Sequence, residues 1–223
     1  MNVRIIGDVH GKYDRYIALT EECEYSIQIG DMGFDYKPLN VIDSNKHKFI
    51  PGNHDNYDIY HECPHVLTTS DGNRDYGVAE LNGFNFFFVR GGFSIDYKYR
   101  QTMYFSGRAE KSYWIEEELT NQQMEGCLEL YKQTLPKVVL SHECPRSISK
   151  QVGNDDLLLN FGFDPKRFTT KTSELLEAMF KIHQPKFWYF GHYHVQRQLY
   201  ENGTVFICLP ELGYYDIGRK EGE

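Results

Sequence analysis

Five short apolar runs, spread along nearly the whole chain, each end in a glycine or serine followed at once by a carboxylate, amide or imidazole. Ile5-Ile6-Gly7 leads to Asp8 and His10, and Ile27-Gln28-Ile29-Gly30 leads to Asp31. Phe49-Ile50-Pro51-Gly52 precedes Asn53 and His54, Val139-Leu140-Ser141 precedes His142, and Tyr189-Phe190-Gly191 precedes His192 and His194. Such runs, rich in β-branched and aromatic residues, read as buried strands. In α/β sheets the carboxyl ends of strands line up at one edge, where ligands bind. Side chains far apart in sequence are therefore expected to converge there. A glycine at the strand exit permits torsions that a Cβ forbids.

The rest of the chain supports an alternating architecture. Strands are expected at Val3–Ile6, Ser26–Ile29, Lys48–Ile50, Val138–Leu140 and Phe187–Phe190. Two hairpins are expected, Tyr76–Leu81 with Phe84–Val89 around Asn82-Gly83, and Gln196–Tyr200 with Val205–Leu209 around Asn202-Gly203. Asn-Gly adopts the left-handed torsions of tight hairpins. Helical spacing appears at Tyr13, Tyr16, Ile17, Leu19 and Cys23. It recurs over Glu116–Thr134, with Met124, Cys127, Leu128, Tyr131 and Leu135 as a stripe, and over Ser173–His183, where Leu175, Leu176, Met179 and Ile182 face one way. Residues 143–172 show the least regularity and read as a lid or specificity loop over one α/β domain spanning 1–223.

Composition narrows the class. With 223 residues and 40% apolar content, the chain holds a substantial core. Its N-terminus lacks the regions of a signal peptide and no apolar run is long enough for a bilayer, so a cytoplasmic location is expected, in host cytoplasm if the protein is phage-encoded, with no membrane association. The five cysteines form no C-x-x-C pair and read as buried reduced thiols. A net charge of -8 argues against a broad nucleic-acid-binding surface. No obligate protein partner is implied.

The donor types fit one kind of centre. Carboxylate, amide and imidazole without thiolate suit Mn, Fe, Co, Ni or Zn as a reactive site more than a structural zinc, and Mn is the first expectation. Asp8, His10, Asp31, Asn53, His142, His192 and His194 are too many for one tetrahedral ion, but natural for two divalent ions sharing a carboxylate. Such a pair supports phosphoryl displacement, which predicts in-line attack by a hydroxide bridging the ions.

These residues resemble the calcineurin-like metallophosphoesterase family. The likeness rests on Asp8-Val9-His10, Gly30-Asp31, Gly52-Asn53-His54-Asp55, Ser141-His142 and Gly191-His192-Tyr193-His194. It implies two mixed β-sheets packed as a sandwich and flanked by helices. It implies that Asp8, His10 and His194 hold one ion, Asn53, His142 and His192 the other, and that Asp31 bridges. His54 would assist the leaving group, and Asp55 would orient His54. The segment Gly91–Asp96 with Arg100, Trp114 and Glu116–Leu119 is similar to uncharacterised bacterial and phage members. Ser141–Pro145 resembles the lariat-debranching branch. Asp31-Met32-Gly33-Phe34-Asp35 lacks the arginine of the phosphoprotein phosphatases, so that monoesterase reading is an alternative, and a non-catalytic scaffold on the same fold is another.

Arg100 and Arg146 are the candidate phosphate contacts, because a guanidinium fork fits phosphate oxygens. The expected substrate is a phosphorylated small molecule, nucleotide or short nucleic acid, with a tilt toward phosphodiesters of the last two. That tilt comes from tyrosines near the motifs, Tyr57, Tyr60, Tyr97, Tyr99 and Tyr193, whose simpler role is packing.

Overall fold

The computed structural model describes residues 2–218, so Met1 and 219–223 of the expected domain lie outside the described residues. A four-stranded sheet holds β1 (Asn2–Ile6), β2 (Tyr25–Ile29), β3 (His47–Ile50) and β10 (Tyr214–Gly218), in the order β10-β1-β2-β3. A six-stranded sheet holds β4 (Tyr76–Leu81), β5 (Phe84–Val89), β6 (Val138–Ser141), β7 (Phe187–Phe190), β8 (Arg197–Glu201) and β9 (Thr204–Cys208), in the order β4-β5-β6-β7-β9-β8. Parallel pairings join β1-β2-β3 and β5-β6-β7-β9, and antiparallel ones supply the edges, so both sheets are mixed.

Strand side chains alternate between two apolar environments, as a period of two requires when both faces are covered. Ile5, Ile27, Ile29, Phe86, Phe88, Leu140 and Tyr189 fill the space between the sheets. Phe87, Val89, Val139, Trp188 and Phe190 point outward to helices α3 (Asn121–Thr134), α4 (Arg146–Val152) and α6 (Lys171–Ile182). On the other side, Ile6, Phe49 and Met32 pack with Tyr16 of α1 (Tyr13–Glu21). The layering is helix, sheet, sheet, helix. At the two Asn-Gly turns both residues are left-handed, with φ of 54° and 74° at Asn82-Gly83 and 47° and 88° at Asn202-Gly203.

Several expected boundaries are corrected. The helix expected from Glu116 begins at Asn121, because Thr120 and Gln123 form a reciprocal capping box there. Glu117 and Glu118 instead reach Ser94 and Thr172. Leu135 is not part of the apolar stripe; it is the left-handed C-cap, φ 44°, and is exposed, as is Ile182. In α1 only Tyr16 and Thr20 are buried. Residues 143–172 are more ordered than expected, carrying α4, α5 (Asp155–Asn160) and the start of α6, which Thr170 caps. Strand β10 and helix α2 (Tyr97–Phe105) were not expected; both are short and mostly exposed, so neither shows a burial period. All five cysteines are free, Cys23 partly exposed and the others buried. Among the described residues, no helix is long and apolar enough to cross a membrane.

Candidate metal centre

The carboxyl ends of β1, β2 and β3 in one sheet and of β6 and β7 in the other meet at one end of the sandwich, so the five motifs converge from two sheets. Their loops are unusual. His10, Asp31, His192 and His194 have φ of 50°, 60°, 68° and 53°, a left-handed conformation that side-chain-bearing residues seldom adopt. Strain of this kind, of order 1–3 kcal/mol each, persists where the surroundings enforce it, typically at functional sites. The glycines do more than relieve torsion. A Cβ on Gly30, φ 103°, would sit 2.2 Å from His142 Nδ1, and one on Gly191 would sit 2.1 Å from Asp8 Oδ1. Glycine leaves the room in which these two side chains lie.

Two groups of donors result. In the first, Asp8, His10, Asp31 and His194 offer one atom each, all within 4.8 Å of one another. His10 Nε2 and His194 Nε2 are 2.9 Å apart, His194 Nε2 is 3.0 Å from Asp8 Oδ2, and His10 Nε2 is 3.7 Å from Asp31 Oδ2. In the second, His142 Nε2 lies 2.9 Å from Asn53 Oδ1 and 3.2 Å from Asp31 Oδ1, and His192 Nδ1 lies 2.9 Å from Asn53 Oδ1. Asp31 therefore turns one carboxylate oxygen to each group.

The second group is fixed from behind. His142 Nδ1 donates to the Ile29 carbonyl at 2.9 Å, which leaves Nε2 to face Asn53 and Asp31. Asn53 Nδ2 donates to Ser94 Oγ at 3.0 Å, so the amide oxygen faces the two histidines. Ser94 in turn donates its hydroxyl and its N–H to Glu117, each at 2.8 Å. Ser94 and Glu117 lie in the segments Gly91–Asp96 and Glu116–Leu119 that the sequence marks as family-like, but sequence reasoning gives neither a role at the centre, since neither is in a metal-ligand motif.

Electrostatics favour a cation here. Burial opposes ionisation of Asp31, but His142 above all, by its charge and its hydrogen bond, holds the carboxyl well below the ordinary range. Desolvation alone would lower His142, yet Asp31 and Asp8 raise it to about 10. Burial, with His142 beside it, pushes His192 down to about 3. A proton on His142 balances the carboxylates, and a bound cation displaces such protons. Ring nitrogens and carboxylate and amide oxygens gathered this closely, with His142 and Asn53 held from behind, fit divalent ions.

The family model of the calcineurin-like phosphoesterases matches residues 1–196, which includes every one of these motifs. The chain belongs to the calcineurin-like phosphoesterase family. Among solved structures, a dimetal phosphatase from Danio rerio aligns with a TM-score of 0.51 at 14% identity, over 95% of this chain and 88% of that one. Phosphopantetheinyl hydrolase from Mycobacterium tuberculosis aligns with a TM-score of 0.50 at 12% identity, over 100% and 97%. At these identities the likeness concerns the fold. No curated protein matches the chain.

Within this calcineurin-like frame, three expected contacts are corrected. Asp55 does not orient His54. Its carboxylate accepts from the backbone N–H groups of Asp31, Met32, Gly33 and Gly52 and from the Tyr36 hydroxyl. It ties the loop after β2 to the loop after β3. His54 is held instead by Arg100, whose Nη2 lies 2.6 Å from His54 Nε2. Burial first, and Arg100 second among the lowering influences, keep His54 down at about 4, so the ring is neutral. With Nε2 accepting from arginine, its proton sits on Nδ1.

Arg100 is therefore not free for phosphate. The same guanidinium donates from Nε to Asp96 at 2.8 Å and from Nη1 to the Ser112 carbonyl at 2.9 Å, and it is buried. Arg146 opens α4, pairs with Glu174 at 3.5 Å, and does not line the cavity beside the centre. Tyr57 donates to the Gly52 carbonyl and Tyr97 packs edge-on to Tyr113, whereas Tyr99 is exposed and Tyr193 lines the cavity beside the centre.

Proposed function

We propose that this calcineurin-like phosphoesterase hydrolyses phosphoesters at a dinuclear centre. Asp8, His10, Asp31 and His194 would hold one divalent ion, and Asp31, Asn53, His142 and His192 the other. Mn is the first candidate, with Fe, Co, Ni and Zn as alternatives set by availability. The observation that carries this reading is the Asp31 carboxylate, with Oδ2 toward His10 and Oδ1 toward His142. When bound, such ions supply Lewis acidity toward phosphoryl oxygens and an activated water for in-line displacement.

The chain's own residues contribute orientation and charge. Asp55 fixes the two loops that carry Asp31 and Asn53. His54, neutral and braced by Arg100, has Nδ1–H left to offer. It acts as a hydrogen-bond donor to charge building on the phosphoryl group rather than as a full acid. The tilt toward nucleic-acid phosphodiesters has less behind it than the sequence suggested, because neither expected arginine lines the cavity and, of the five tyrosines, Tyr193 alone does. A phosphoester of a small molecule, nucleotides included, fits better. Residues 143–172 would act as the specificity segment over the centre.

The test is reconstitution of chelator-treated protein with Mn²⁺ and turnover of 4-nitrophenyl phosphate and bis(4-nitrophenyl) phosphate. Activity that appears only with metal supports the reading. Full metal loading with no turnover on a broad phosphoester panel contradicts it and revives the scaffold alternative.

A further inference from the structure

A cavity of about 680 Å³ runs from the metal centre, where Asp31, Asn53, His54 and His192 line it, under the segment 149–170. That size is ordinary for a small-molecule site. Beyond the metal end Phe93, Ile95, Val152, Leu157, Leu158 and Phe168 give it a largely apolar side, interrupted by polar residues. Phe93, Phe163 and Phe168 form one aromatic cluster, with ring centroids 4.8–6.2 Å apart. In this outer part Asp96 and Asp155 stand against Lys150 and Lys166, so it carries no excess of basic charge.

One polar group there has no established task. Glu143 follows His142 directly and is 2% exposed, yet it lines the cavity. Its Oε1 accepts from Thr170 Oγ1 at 2.7 Å, whereas Oε2 has no hydrogen-bond partner. The Phe93 N–H lies near the carboxyl without completing a bond to Oε2. Oε2 is next to the metal end: a Cβ placed on Gly92 would be 3.7 Å from it and 3.3 Å from Asn53 Oδ1. A buried oxygen without a partner costs roughly 1–3 kcal/mol, a cost that a ligand donor removes.

We infer that the leaving group of the substrate is an apolar alcohol that enters this chamber and carries a hydroxyl or amine whose hydrogen Glu143 Oε2 accepts. The inference rests on the dinuclear phosphoesterase reading and adds the class of ester. The phosphate stays with the metal centre, the apolar body packs on Phe93, Phe168 and Leu158, and the donor reaches Glu143.

The experiment is calorimetric binding of methylphosphonate, benzylphosphonate and 4-(aminomethyl)benzylphosphonate to the Mn²⁺-loaded full chain, alongside turnover of 4-nitrophenyl phosphate. Benzylphosphonate is expected to bind roughly tenfold tighter than methylphosphonate, from burial of the ring. The aminomethyl compound should gain about a further fivefold from the hydrogen bond. Phe168→Ala should shrink the benzyl advantage, and Glu143→Gln, which replaces the free acceptor by a donor, should remove the amine advantage alone. Methyl and benzyl compounds within twofold of each other on the wild-type protein overturn the inference without any variant having to fold. An amine advantage that is absent, or that survives Glu143→Gln, does the same. Turnover with no benzyl preference sinks the chamber only; no phosphonate binding and no turnover sink the dinuclear reading together with it.

Discussion

The two halves of the centre are built differently. His142 and Asn53 form a buried floor, His142 pinned to the Ile29 carbonyl and Asn53 pinned through Ser94 to Glu117. His10 and His194 form a rim, with side chains 20% and 49% exposed, on left-handed residues of two loops. Rim imidazoles lean mainly on Asp8 and on each other, the 2.9 Å Nε2–Nε2 contact being the nearest. A floor fixed before any ion arrives loses little entropy on binding it, whereas the rim must be ordered by its ion. The comparison teaches that, on the proposed reading, one ion would sit on a prebuilt part of the folded core and the other on a more exposed rim.

The largest expected effect comes from the residue common to both halves. Asp31→Asn should lower turnover of an aryl phosphate by about a hundred- to a thousandfold, the range in which removing one preorganised electrostatic contact falls. Near-wild-type kcat would erase the idea of a shared carboxylate. Next comes a break confined to the floor. Ser94→Ala frees the Asn53 amide and should weaken one of the two ions about 10–100-fold, as loss of a supporting hydrogen bond does, while sparing the other. Calorimetric metal titration reads this; equal weakening of both would dissolve the distinction between floor and rim.

Arg100→Ala should cut kcat roughly tenfold with little change in metal affinity, because it releases His54 and touches neither half. Arg100→Lys should not rescue, since one ammonium cannot serve His54, Asp96 and the Ser112 carbonyl at once. The smallest effect lies outside both halves, where Glu177 accepts from the Ser147 N–H at the start of α4. Burial would raise its carboxyl, but Ser147 and Lys181 hold it below the ordinary value. Its contribution is therefore present above the unfolded-state pKa and lost as pH falls through the folded one. Glu177→Gln should cost at most about 1 kcal/mol at neutral pH and close to nothing in acid, measured by urea unfolding.

How much of this was legible depended on distance along the chain. Strands such as Phe187–Phe190 and the turns at Asn82-Gly83 and Asn202-Gly203 are local, and residue types alone announce them. The start of α3 was misread because what removes Glu117 and Glu118 from the helix lies at Ser94 and Thr172. Strand β10 pairs with β1 across almost the full chain and carries no burial period of its own. The candidate ligands could be named because each follows a strand. The partner of His54 is 46 residues away and the five donors around Asp55 lie on three segments, so their roles needed coordinates. Nor do residue types reveal that His10, Asp31, His192 and His194 are left-handed.

The central claim is one carboxylate between two ion positions, and electron paramagnetic resonance of the Mn²⁺-titrated protein addresses it most directly. The account predicts two Mn²⁺ per chain, with a mononuclear signal from the floor position giving way to an exchange-coupled spectrum as the second ion binds. Asp31→Asn should abolish that coupling. A wild-type protein that saturates at one Mn²⁺, or binds two with uncoupled spectra, would contradict it.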